Sequence, residues 1–191
     1  MAGKHEICNV ALGLLGADPI QSFDDGSFAG QICSNVYEMA VLSVLEDHPW
    51  NFAEAVASLG ADATAYRPDF DYSYNLPTGY ISARSLMDVN GFLQRCPWKI
   101  SGNKLCTDLE DAWLVYTYRA PEQLFTPQFT MSLSKYLASL LAGPITESES
   151  KVETWYKVYR TELATARSRD SQKDHGDAVD TSALVSVHSS G

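Results

Sequence analysis

The chain has 191 residues, 45% of them apolar, which is enough to bury one substantial core, so length sets a prior of one domain with room for a small insertion. Fourteen basic against twenty-four acidic side chains give a formal net charge of -10, which argues against adhesive nucleic-acid binding, because neutralising phosphates takes clustered Lys and Arg. Cysteines 8, 33, 96 and 106 are widely spaced, with no Cys-x-x-Cys pair and no clustered histidines, so the composition indicates neither a zinc site nor a disulfide framework and predicts reduced core thiols.

From about Lys4 to Leu15 the apolar residues Ile7, Val10, Ala11, Leu14 and Leu15 recur at helical spacing, and Gly16 with Asp18-Pro19 ends the pattern. No apolar stretch of signal-peptide length follows a basic start, and no run of about 18 apolar residues occurs. A cytoplasm-like setting without a membrane partner is therefore expected. After a polar turn over 22–27, Ile32, Cys33, Val36, Tyr37, Ala40, Val44 and Leu45 predict a second helix over about 28–47. Its acidic end residues Glu46 and Asp47 oppose the helix dipole, a small cost for a neighbour to offset. Pro49 then stops or kinks the pattern, and Trp50-Asn51-Phe52 places two large apolar anchors at the bend.

Over about 60–120 the chain changes character. Glycine, proline and asparagine punctuate short segments rich in Tyr, Ile, Val and Trp, including Tyr80 to Met87, Trp98 to Ile100 and Trp113 to Tyr118. Asp88-Val89-Asn90-Gly91 and Ser101-Gly102-Asn103-Lys104 supply hairpin turns, and a small antiparallel meander inserted between helices is the simplest reading. Thr126-Pro127 opens a third helix over about 127–142, closed by Gly143-Pro144. Thr146 with Glu149 fits a capping box for a fourth helix over about 147–169, which should form an antiparallel hairpin with the third. The fold class expected is thus α+β: an antiparallel bundle of about four helices with an inserted small β-sheet, one domain over 1–172, and a C-terminal tail over 173–191 whose composition is that of a flexible segment.

Catalytic signatures are sparse. There is no Gly-x-Ser-x-Gly elbow, no P-loop and no dinucleotide fingerprint, and His48, the one histidine away from the termini, is expected to satisfy a nearby backbone group. Acid pairs are Asp24 with Asp25, Asp69 with Asp71, Asp108 with Glu110 and Asp111, and Glu147 with Glu149; the first and last fall at helix starts, where capping accounts for them. An acid pair of this kind is what an alternative reading, a virion-associated peptidoglycan hydrolase, would use.

A resemblance enters when the bend is read with its flanks. Glu6-Ile7-Cys8-Asn9-Val10-Ala11-Leu12, Leu15-Gly16-Ala17-Asp18-Pro19-Ile20, Ser22-Phe23-Asp24-Asp25, the His48-Pro49-Trp50-Asn51-Phe52-Ala53 block, Tyr72 to Pro77, Trp98 to Leu105 and Leu137 to Ala142 follow in order. This order resembles the tail tubular protein A family of tailed bacteriophages, the head-to-tail adaptor, head-completion or gatekeeper proteins, over about residues 4 to 170. The resemblance implies a structural virion protein, without catalysis or cofactor, that forms a twelve-subunit ring between the portal protein and the tail nozzle or next connector. DNA would pass through its lumen without specific binding. It also implies a C-terminal extension that reaches the portal, and the apolar points of this chain's tail, Val179, Leu184, Val185 and Val187, are the anchors expected for it.

Overall fold

The computed structural model describes residues 3–60 and 67–173. The four tail anchors Val179, Leu184, Val185 and Val187 lie outside the described residues. The chain is mixed α+β, with helices at both ends of a strand-rich middle.

Helix α1 (Lys4–Leu15) ends at Gly16, whose φ of 77° lets the Ala17 amide return to the Leu12 carbonyl at 3.0 Å. The Asn9 side chain then clamps the amide and carbonyl of Ile20 at 2.8 and 2.9 Å, which brings the following loop back over the helix. Helix α2 (Phe28–Glu46) starts on Ser27, which accepts from the Gly30 amide at 2.9 Å. By length and composition α2 could cross a membrane. Here its apolar stripe, Cys33, Tyr37, Ala40, Val41, Val44 and Leu45, faces the core. Helix α3 (Pro127–Thr146) packs on α1, on α2 and on α4 (Glu149–Ser171). A ring contact of Tyr136 with Tyr159 at 4.7 Å and an ion pair of Lys135 with Glu162 join α3 to α4.

Two expectations at the α3–α4 link are corrected. The helix does not stop at Gly143-Pro144 but runs to Thr146, because a proline in the last turn removes only one intrahelical bond. The capping box does not form: Ser148 occupies the N-cap of α4, and the Thr146 hydroxyl donates back to the Ala142 carbonyl at 2.7 Å. Glu147 closes α3 at φ 51°, a left-handed angle that costs a side-chain-bearing residue about 1–2 kcal/mol. Glu147→Gly is therefore expected to stabilise the chain by about 0.5–1 kcal/mol after the added unfolded-state entropy of glycine. Urea denaturation checks this, and a loss of stability would show that the Glu147 side chain has an unrecognised partner.

The middle is not a simple meander, and it begins at Glu54 rather than near residue 60. Strands β1 (Glu54–Ser58), β3 (Tyr80–Met87), β4 (Leu93–Gln94) and β7 (Trp113–Tyr118) form one sheet in the order β1-β7-β3-β4. Strands β2 (Tyr72–Asn75), β5 (Trp98–Ser101) and β6 (Lys104–Thr107) form a second in the order β2-β6-β5. All pairings are antiparallel. Both hairpin turns occur where turn chemistry places them: Gly91 has φ 81°, and Gly102 at φ 59° sits first in the two-residue link between β5 and β6, as a II′-type turn requires.

Two apolar cores result. The larger joins α1, α2, α3 and α4 around Leu12, Tyr37, Leu45, Trp50, Phe129 and Leu137. The smaller packs Leu86, Leu114 and Tyr116 of the first sheet against Tyr74 and Leu105 of the second. The bend after α2 and the link from β7 to α3 are where the chain passes between them.

Candidate functional site

The bend motif is a junction between helices and sheet. After α2 the chain turns at Pro49, with the Trp50 amide on the His48 carbonyl at 2.8 Å, and Asn51–Ala53 make one turn of 3-10 helix. Trp50 is fully buried, and its indole N–H donates to the Val44 carbonyl at 2.8 Å. That carbonyl is one of the four at the end of α2 that have no helical partner, so the indole both fills the core and caps the helix. Rings of His48, Phe52 and Phe129 surround it at 4.9, 6.0 and 5.1 Å, and Phe125 extends the cluster.

Two distant residues hold the bend in place. Arg84 of β3 donates to the Trp50 carbonyl at 2.7 Å, to Glu54 at 2.7 Å and to the Thr117 hydroxyl at 3.0 Å, tying sheet to bend. Asp170, 4% exposed near the end of α4, accepts from the Asn51 amide at 3.0 Å, and the Asn51 side chain donates to the Asp170 carbonyl at 3.1 Å. His48 Nε2 lies 3.3 Å from the same carboxylate, so its partner is a side chain and not the backbone group expected. Burial pushes the His48 pKa down and Asp170 only partly opposes this, leaving the ring neutral at pH 7. Asp47, whose charge opposes the α2 dipole, is offset by the Tyr159 hydroxyl at 2.7 Å and by Arg167 at 3.4 Å.

A second cluster fixes the other crossing. Arg119, just after β7, donates to Glu38 of α2 at 2.7 and 3.1 Å and to Glu122 at 2.7 Å, with its guanidinium over the Phe125 ring. Burial alone would raise the Glu122 carboxyl; the hydrogen bond and charge of Arg119, a backbone amide and the charge of Lys4 together outweigh it and hold the group below its ordinary value. Glu122 and Phe125 of this cluster also line an apolar groove of about 330 Å³ between α1 and α3, together with Val10, Pro127, Thr130 and Met131.

The first sheet presents a further apolar surface on the side away from its core. Val56, Met87, Trp113 and Leu93 share that face, and the β3–β4 turn carries it on through Val89 and Phe92. Val89 is 62% exposed, and Phe92 and Leu93 are each 68% exposed. The turn is nonetheless well determined: the Asp88 carboxylate accepts from the amides of Asn90 and Phe92 at 2.9 and 3.0 Å and from the Gln94 side chain at 3.0 Å.

Three of the acid groups have one member held by a local partner. Asp25 accepts from the amides of Gln21 and Ser27, and the Ser27 hydroxyl together with these amides lowers its pKa; Asp69 pairs with Arg67; Asp108 accepts from the Asp71 amide. None of the paired acids lines the α1–α3 groove or the pocket beside the β3–β4 turn. Among the described residues no three His, Cys, Asp or Glu side chains converge as a metal site would require. Cys8 and Cys33 are buried together, and their mutual hydrogen bond with burial pushes the Cys8 thiol up. Sequence reasoning singled out the bend, but not Arg84, Arg119 or Asp170, whose partners lie 34, 81 and 119 positions away. No protein-family model matches the chain, and no curated protein matches it.

Proposed function

We propose that the chain is a structural adaptor of the tail tubular protein A kind, a virion component at the head-tail junction that assembles as a ring on a portal and forms part of the DNA-exit channel. The ordered blocks from Glu6 to Ala142 support this reading, as does the order of elements: two helices, a strand-rich middle after the Trp50-Asn51-Phe52 bend, and two further helices. One observation carries most weight. A cyclic oligomer uses two different complementary patches on each subunit, and this chain has two separate exposed apolar surfaces, one along the α1–α3 groove and one on the outer face of its first sheet. With a net charge of -10 per copy, a ring of such chains would present DNA with a surface that does not grip phosphates, as suits a conduit.

Native mass spectrometry of the purified chain, alone and with its candidate portal ring, tests the reading. Twelve copies on the portal are the outcome it requires. Absence of any association would refute it and turn attention to peptidoglycan clearing by the purified protein. The segment 174–191, with Val179, Leu184, Val185 and Val187 as anchors, is proposed to dock on the portal. Truncation after Gln172 is accordingly expected to weaken portal binding by at least about tenfold while the thermal transition stays unchanged, and undiminished binding would remove the tail from the interface.

A further inference from the structure

Strand β1 is an outer strand of the first sheet, with β7 on one side and, among the described residues, no strand on the other. Its register shows which backbone groups are left over. The Leu59 amide donates to the Ala112 carbonyl at 3.0 Å, so the alternation of an antiparallel pair turns the amides and carbonyls of Ala55 and Ala57 toward β7 and those of Val56 and Ser58 toward the open side. Among the described residues no hydrogen bond meets them there. Sheet edges are normally guarded by a bulge, a proline or a free charge. Strand β1 has none of these: its pairing with β7 is unbroken from Glu54 to Ser58, and its one charge, Glu54, is tied to Arg84 at 2.7 Å. Such an edge accepts an added strand through main-chain bonds.

The chain's own C-terminus is placed to supply that strand. Helix α4 ends at Ser171, and Asp170 is fastened to the Asn51 amide at 3.0 Å, three residues before β1 begins. From Asn51 to Ser58 the chain spans at most about 25 Å, whereas residues 174–183 can extend to about 35 Å, so the segment that follows them reaches any point on the edge. Thr181 to Val187 holds no glycine, proline or charge, and Val185 and Val187 are β-branched.

Side chains alternate along a strand. With Val185 and Val187 on the outer face of the sheet they cover Val56, which is 48% exposed. Leu184 then falls on the opposite face beside Ala55 and Ala57, whose small side chains leave room for it. A tethered strand also acts at an effective concentration on the order of millimolar, which favours the chain's own tail over the edge of a second copy.

We propose that in the free chain residues 181–187, which lie outside the described residues, add to the open edge of β1 as a fifth strand of the first sheet. The pairing does not rest on the adaptor reading, and a portal that takes the same tail must first release it. Held by a few main-chain bonds, the strand opens well below the global transition.

Amide hydrogen exchange of the full chain, read residue by residue by NMR, tests the pairing. The amides of Val56 and Ser58 should be protected although β7 does not bond them. The double substitution Val185→Pro with Ser186→Pro keeps the tail but removes two adjacent donors, and should speed exchange at Val56 and Ser58 by at least about tenfold. Truncation after Gln172 should do the same. The Ala55 and Ala57 amides, bonded to β7, are the control and should not change, and dilution should leave the protection as it is. Exchange at Val56 and Ser58 in the full chain as fast as in an unpaired strand, protection that survives the double substitution, or protection that fades on dilution, the mark of a second copy, would each overturn the proposal.

Discussion

Trp50→Ala is expected to cost about 3–5 kcal/mol, the range for truncating a buried aromatic, and thus a large share of the roughly 5–15 kcal/mol by which a domain of this size is stable. Two separable losses contribute. The indole leaves a cavity bordered by His48, Phe52 and Phe129, and the Val44 carbonyl at the end of α2 loses its cap. Trp50→Phe separates them, because it restores most of the packing but not the donor, and should cost about 1–3 kcal/mol for the orphaned buried acceptor. Urea denaturation followed by far-UV circular dichroism measures both. A Trp50→Ala chain within about 1 kcal/mol of the parent would mean that the bend is not the junction on which helices and sheet depend.

Local chemistry was readable and tertiary pairing was not. Thr126-Pro127 and Gly16 mark helix ends because each supplies, within its own few residues, the donor, acceptor or φ angle that the terminus needs. The turns at 88–91 and 101–104 were legible for the same reason. Strand β1 was not: Glu-Ala-Val-Ala-Ser has weak strand propensity and forms through its register with β7, Val56 opposite Val115. The order β1-β7-β3-β4 likewise depends on a strand 55 or more positions away from β1, which no periodicity reports. At the candidate surfaces the limit is different. Asp88 to Gly91 could be read as a turn, but that Phe92 stays exposed while Phe129 is buried is decided by what packs against each. The bend was recognisable as an anchor from Pro49, Trp50 and Phe52, whereas Asn51 had no evident role until Asp170 was seen across from it.

Asp170 is where that distant pairing has its largest consequence, and Asp170→Ala is expected to cost about 2–4 kcal/mol, since the half-buried Asn51 amide and the His48 ring each lose their acceptor. The effect should be local first. Asp170 sits in the last turn of α4, three residues before Lys173, so hydrogen exchange over 165–171 should rise before the rest of the helices lose protection. Asp170→Asn keeps an acceptor for the Asn51 amide and should cost less at neutral pH, but it removes the one charge that counters the desolvation of His48. The sign of the pH effect follows. A histidine whose folded pKa lies below its unfolded value of 6.5 contributes stability above pH 6.5 that is lost as the pH falls through the folded pKa. Lowering that folded pKa further enlarges the loss, so Asp170→Asn should steepen the decline in stability below pH 6.5, and His48→Gln should flatten it. Equal acid profiles for the parent, Asp170→Asn and His48→Gln chains would show that His48 is not desolvated and that its pairing with Asp170 does not fasten α4 to the bend.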